Sequence, residues 1–457
     1  MVHDELSIGI LIISFASILL SYTLVRRASG IVRIPFISTF FMVKYFVFAY
    51  AGSVLLNVFY FTYELNTGVY NRPDILLTMW YYTTSGLFLI PLGMFVANWA
   101  TGYSPMATTF QVLSKDVEIS NDDKSNFMFF LLLILFSISF LVLLIYISKV
   151  GKLPILAILD GLDASDLALL RSDSNANFDG KMYRYVMFTK TLPLLLLFIV
   201  FFMKNISFKW KFFFYVLLAF NMFTSIMDLQ KAPILKIFLL LMLAYFYSNN
   251  KISRKVFIST GLILSGLIMM MYVFFMGMSD RSFFDILGAP LHRIFIGQIE
   301  PFYYYQLFQE EYGYIYGASF PNPAEIFPFE HRKITVEVKN FTEPHLFKLG
   351  IVGSSPTVFF VDWFINFGLY MALFSMILFG FMIQMIDIYF LSKLAKYKSL
   401  LLSVLFIFLI NFFGDFSGTS YVGILFETKW VFPVFVVVSL EIIRQIFKIF
   451  IRRIYEK

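Results

Sequence analysis

A chain of 457 residues that is 59% hydrophobic, 20% aromatic and only 14% charged carries more apolar surface than one water-soluble core can hide. Its net charge of +7 lies in short clusters beside apolar runs, the distribution of a membrane protein rather than of a nucleic-acid binder. The absence of cysteine excludes disulfides, a thiol nucleophile and thiolate metal sites.

Eleven apolar runs qualify as candidate spans: Leu6–Leu24, Phe40–Phe61, Ile75–Ala97, Phe127–Ile147, Tyr185–Met203, Phe212–Met227, Ile234–Tyr247, Val256–Met278, Ile365–Tyr389, Leu400–Phe413 and Trp430–Ile443. Crossing a bilayer takes about 20 helical residues, so most are long enough and a few are short. The first is followed by Arg26 and Arg27 and reads as a span rather than a cleaved leader. The basic clusters Arg26/Arg27/Arg33, Lys204/Lys209/Lys211, Lys251/Arg254/Lys255, Lys393/Lys396/Lys398 and Arg444/Arg452/Arg453 share one side if the N-terminus is outside. That side is then cytoplasmic. The link 98–126 fits least well, because its acids outnumber its two lysines.

In chain order, residues 1–278 hold eight spans, and 148–184 forms an outer connection. Its first half, 153–170, has the pattern of an amphipathic helix lying in the interface. Asp160, Asp163 and Asp166 share a face there, and a solvated polar face explains them better than a metal site. Its second half brings Arg171, Lys181 and Arg184 to the outer surface. The short spans 212–227 and 234–247 flank Asp228 and Lys231, which either line a cavity or pair to close a hairpin. Lys44 and Lys190 lie inside apolar runs near an end, where their amines can snorkel.

Residues 279–357 form the one long polar segment, expected as a loop above a membrane-embedded cavity, and 358–457 supplies three further spans and a basic tail. The loop holds His292, His331 and His345 together with Arg281, Arg293, Arg332 and Lys333. Guanidinium forks suit phosphate oxygens, so Arg293, Arg171, Lys231, Arg184 and Arg281 are candidates for a lipid-linked diphosphate, with anionic lipid headgroups as the alternative. Tyr303, Tyr304 and Tyr305, with Phe308, Tyr312, Tyr314 and Tyr316 nearby, suit either stacking on sugar rings or, more commonly, an interfacial aromatic belt. Asp362, Glu330 and Glu300 can each serve as base for a sugar hydroxyl, with His331 or His292 as alternatives. No phosphate-binding Gly-rich loop, HExxH or GxSxG is present, and no cofactor or metal is expected.

The segment Gly317-Ala-Ser-Phe-Pro-Asn-Pro-Ala-Glu-Ile-Phe-Pro-Phe-Glu330, then Gly350-Ile-Val-Gly-Ser-Ser-Pro-Thr357 and Asn366-Phe-Gly368, resembles the Wzy-type oligosaccharide repeat unit polymerases. His292-Arg-Ile-Phe-Ile-Gly297 and the region from Arg171 to Gly180 are similar as well, although only 291–368 carries specific motifs. The resemblance implies an all-α, GT-C-like membrane glycosyltransferase in the bacterial plasma membrane. It would join undecaprenyl-pyrophosphate-linked repeat units, as donor and acceptor, on the outer face, with a chain-length regulator as a possible partner. Some members carry paired motifs of Arg, ten residues and Gly; here eight residues separate Arg171 from Gly180 and no full second copy follows. A flippase for lipid-linked oligosaccharide and an O-antigen ligase-like transferase are the rival readings.

Overall fold

The computed structural model describes residues 2–30, 36–58, 72–150, 155, 182–227, 232–249, 254–275, 282–322, 325–350, 353–419 and 428–455. These residues are helical throughout, joined by turns and one isolated bridge, Glu118 with Ser399. Among the described residues, eight helices are long and apolar enough to cross a membrane, which makes the chain an all-helical polytopic membrane protein.

The helices, in order, are α1 (Val2–Ser29), α2 (Ile37–Val58), α3 (Pro73–Thr101), α4 (Pro105–Leu113), α5 (Asn126–Val150) and α6 (Met182–Met203). Next come α7 (Phe208–Ile226), α8 (Ala232–Asn249) and α9 (Arg254–Phe275). The long polar segment contains α10 (Phe283–Phe295), α11 (Glu300–Tyr312), α12 (Ile334–Thr342) and α13 (Pro344–Lys348). The chain closes with α14 (Phe360–Phe367), α15 (Leu369–Lys396), α16 (Leu400–Gly414) and α17 (Thr428–Tyr455).

Over its described residues each of the eleven expected runs is helical, the run 365–389 on two helices, but α7, α8 and α9 are not among the eight spans. Lys209 and Lys211 occupy the first turn of α7, and only shorter apolar stretches remain in α8 and α9. The run 365–389 also starts later than its hydropathy suggests. Gly368, at φ +81°, ends α14 and lets α15 begin in a new direction at Leu369.

The chain forms two compact units. The first comprises residues 1–109, 283–391 and 410–425. Its helices α3 and α15 cross where neither has a side chain: a Cβ on Gly93 would lie 2.0 Å from the Ile377 carbonyl, and one on Gly380 would lie 2.0 Å from that of Ile90. Small residues at such a crossing let backbones approach closely, the main source of helix adhesion in lipid. Tyr82 of α3 stacks on Phe360 at 5.9 Å and meets Phe302 and Phe364 edge-on at 5.4 and 5.6 Å, which seats α11 and α14 on the span. Asp387 of α15 receives the N–H groups of Ile37 and Ser38 at 3.0 and 2.8 Å and so caps α2 from outside it.

The second unit comprises residues 110–282, 392–409 and 426–457. Residues 192–203 of α6 are buried at every position, and Asn221 of α7 donates to the Pro193 carbonyl at 3.1 Å, tying α7 to α6. The acids of the link 98–126 find counter-ions here. Arg444 pairs with Asp123 at 2.8 Å and Lys448 with Asp122 at 3.5 Å, so the acidic excess of that link is local neutralisation of α17. Lys398 donates to the Val112 and Lys115 carbonyls at 3.2 and 2.7 Å, closing the C-terminal end of α4, and burial pushes its amine down to about 8.

Candidate functional site

The site is built within the first unit by helices of the long polar segment. That segment does not simply stand above the spans. The end of α10 packs into α2: Gly52 abuts Phe295 so closely that a Cβ would lie 2.0 Å from its carbonyl oxygen. Gly52 is 15 residues into α2, about 22 Å along its axis, so Phe295 reaches well below the last turn of that span. The approach follows directly on a wider turn, where the Ala51 N–H bonds to the Phe46 carbonyl five residues back. Such turns recur at functional sites because they displace one row of side chains.

Around the α10–α11 junction lie His292, Arg293, Glu300, Tyr304, Lys339 and Glu343. Arg293 is exposed, forms no ion pair among the described residues, and runs past Gly297, whose Cβ would meet the arginine Cδ at 3.0 Å. Glu300 is half-buried at the first residue of α11, with the Tyr304 hydroxyl 3.5 Å from its Oε1. Burial raises the Glu300 carboxyl above its ordinary value of 4.5; Arg293, Tyr304 and Lys339 pull it back, and Glu343 raises it. His292 is held below its ordinary value by burial and by the Arg293 charge beside it, so it is a neutral ring at pH 7. Lys339 pairs with Glu343 at 2.5 Å, one turn along α12. A carboxyl with a raised affinity for protons next to an uncommitted guanidinium is a group that can take a proton beside one that can hold an anion.

The other expected site residues fall elsewhere. Asp362, 3% exposed, is in the first turn of α14. Burial, then the nearby Asp362 and Glu337 carboxylates, push the Tyr305 phenol well above its ordinary value. Glu330 and His331 are exposed, and the His331 Nδ1 lies 3.0 Å from the Phe320 carbonyl. Arg332 is committed to Glu337. Tyr303 and Tyr305 are 1% exposed and Tyr304 is 9% exposed, so these three rings pack inward rather than presenting an open stacking face. Arg184 is exposed on α6 in the second unit, against the Tyr183 ring. Arg171, Lys231, Arg281 and Asp160/Asp163/Asp166 lie outside the described residues.

The motif residues 317–319 and 366–368 are brought together, and their bonds are structural. Asn366 accepts the Gly317 N–H at 2.7 Å and donates to the Ser319 hydroxyl at 2.6 Å, while its carbonyl takes the Tyr316 N–H at 3.2 Å. Gly368 leaves room for Tyr314, whose hydroxyl would lie 2.9 Å from a Cβ there. The second motif closes on the junction itself: Gly353 lies against the Lys339 stem, and the Thr357 hydroxyl donates to the Gln298 carbonyl at 3.0 Å.

Sequence reasoning missed Lys339 and Gln298, and it misread Lys44. That lysine does not snorkel. Its amine meets Asp415 at 2.7 Å with 17% of its side chain exposed. A lone lysine inside an apolar run was the available signal.

Comparison with protein-family models, with curated proteins and with solved structures finds no match to this chain. The class the fold defines is therefore an all-helical polytopic membrane protein, and activity is argued from the site.

Proposed function

We propose that the protein is an inverting, GT-C-like glycosyltransferase that polymerises undecaprenyl-pyrophosphate-linked repeat units on the outer face of a bacterial plasma membrane. The carrying observation is the meeting of uncommitted Arg293 with half-buried Glu300 at the α10–α11 junction. The motif resemblance over 291–368 supports the same reading.

The donor is the growing glycan on its diphosphate carrier and the acceptor is a hydroxyl of the newest repeat unit. The hydroxyl oxygen attacks the anomeric carbon while Glu300 takes its proton. The bond from that carbon to the diphosphate oxygen breaks, and the electron pair leaves with the diphosphate. Arg293 offsets the charge that develops there, in a setting partly shielded from water. Among Asp362, Glu330 and Glu300, the last combines partial exposure with a raised proton affinity, so it takes the role of base. The reading requires this junction to lie on the extracytoplasmic side, as it would with eleven spans and the N-terminus outside.

A second reading, a flippase for the same lipid-linked sugar, is favoured by the Lys44–Asp415 pair inside the apolar scaffold. A ligase-like transferase differs in its acceptor. Purified protein in nanodiscs, given synthetic lipid-linked repeat units, is expected to produce a ladder of glycans. Substrate crossing a vesicle bilayer with no new glycosidic bond would overturn polymerisation in favour of transport.

A further inference from the structure

Lys44 occupies α2 seven residues from its start, about 10 Å along the axis, between the rings of Phe40 and Phe48 at 5.8 and 5.5 Å. Its partner Asp415 opens the single turn Asp415–Ser417 that follows α16. That turn is tied to the functional junction at two further points. The Phe416 carbonyl accepts the Phe359 N–H at 3.3 Å, and Gly418 faces Gln298 so closely that a Cβ would lie 2.7 Å from its Oε1. Gln298 belongs to the four-residue link, 296–299, between Arg293 in the last turn of α10 and Glu300 in the first turn of α11. On its other side the Gln298 carbonyl is held by the Thr357 hydroxyl.

A charge pair is a poor choice for adhesion alone. Apolar side chains of similar size hold a buried contact equally well without the cost of stripping water from two ions. What a pair adds is direction: its partner must sit at one place, and losing Asp415 leaves the half-buried lysine without its counter-ion. The Phe40 and Phe48 faces favour the lysine in place but cannot replace its counter-ion.

We propose that Lys44 is a positioning residue: acting through Asp415 and the Gly418–Gln298 contact, it sets the placement of Arg293 and Glu300 on either side of the link. The inference rests on the reading of those two residues as the reacting machinery. Lys44 itself touches neither of them.

The absence of cysteine from the chain supplies a clean probe. Val358, fully buried beside Thr357, is replaced by Cys so that the Thr357–Gln298 bond stays in place, and the rate at which a charged maleimide modifies it is followed in the purified full-length protein. Lys44→Met is expected to raise that rate about tenfold, as the junction opens locally. Asp415→Asn, which removes the pairing without stranding a carboxylate, is expected to do the same and serves if Lys44→Met does not fold. The charge-swapped pair Lys44→Asp with Asp415→Lys is expected to restore slow labelling. An unchanged rate in the folded single variant would overturn the proposal.

Polymer formation gives a second readout. A wetter Glu300 loses part of its raised proton affinity, so the acid limb of the kcat–pH profile should move to lower pH in Asp415→Asn. The groups facing that carboxyl, Arg293, Tyr304, Lys339 and Glu343, are unchanged in the variant. A lower kcat with the limb unmoved marks a merely structural role and contradicts the proposal. If the unaltered protein forms no polymer at all, the functional reading fails while the labelling rates still judge the positioning.

Discussion

Glu300 changes the pH behaviour of the fold as well as of the reaction. Its folded carboxyl binds a proton more tightly than the ordinary value of 4.5, so folding takes up protons between the unfolded and folded values. The stabilisation is fully present below the unfolded value and is lost as pH rises through the folded one. Thermal midpoints of the purified protein should therefore fall across that window, and Glu300→Gln should flatten the fall. A steeper dependence in the variant would show that other carboxyls dominate. Asn366 belongs to the same scale. Its three bonds to Tyr316, Gly317 and Ser319 hold Tyr316 at φ +45°, a left-handed conformation that costs a bulky residue about 1–2 kcal/mol. Asn366→Ala keeps the backbone bond to Tyr316 but strands the Gly317 N–H and the Ser319 hydroxyl, at about 1–3 kcal/mol, measurable as a lowered thermal midpoint. An unchanged midpoint would mean that the latch holds nothing.

Among the elements, α3 and α15 depend on Gly93 and Gly380 having no side chain. Gly93→Leu or Gly380→Leu should separate the two helices and reduce the monodisperse fraction on size-exclusion chromatography, whereas Gly102→Ala, with open space around its Cβ position, tests only backbone strain at φ +63°. Monodisperse protein from both leucine variants would contradict the crossing. The helices themselves were legible in the sequence because a span must satisfy its own backbone and present apolar side chains to lipid, which leaves long uniform runs. What hydropathy cannot register is a change of direction inside such a run, and Gly368 supplies one between α14 and α15. Nor can it register depth. The polar segment looked like a loop standing clear of the membrane, because its Tyr, His and Arg content is that of a surface. Its α10 end instead packs on Gly52 within α2. Arg293 and Glu300 were both singled out as residue types, but their partnership depends on a link of four residues whose shape is set from Thr357 and Gly418, far away in sequence. Lys44 carried a visible signal and an incomplete interpretation, since its counter-ion is 371 residues away.

For the whole molecule, orientation is the first claim to test, and a cysteine-free chain suits the test. With the N-terminus outside, a thiol placed at Lys333 should react with an impermeant maleimide added to intact cells, and one placed at Lys396 should react only after the membrane is opened. The reverse pattern would put the α10–α11 junction in the cytoplasm and remove it from any reaction on the outer face. The activity itself is tested most directly by giving Arg293→Ala and Glu300→Gln protein, reconstituted beside the unaltered chain, the same synthetic lipid-linked repeat units. The account predicts inserted, folded protein in both cases, with ladder formation slowed by about 100-fold or more for Glu300→Gln, as for loss of a general base, and abolished for Arg293→Ala. Ladders of normal length and rate from both variants would contradict it.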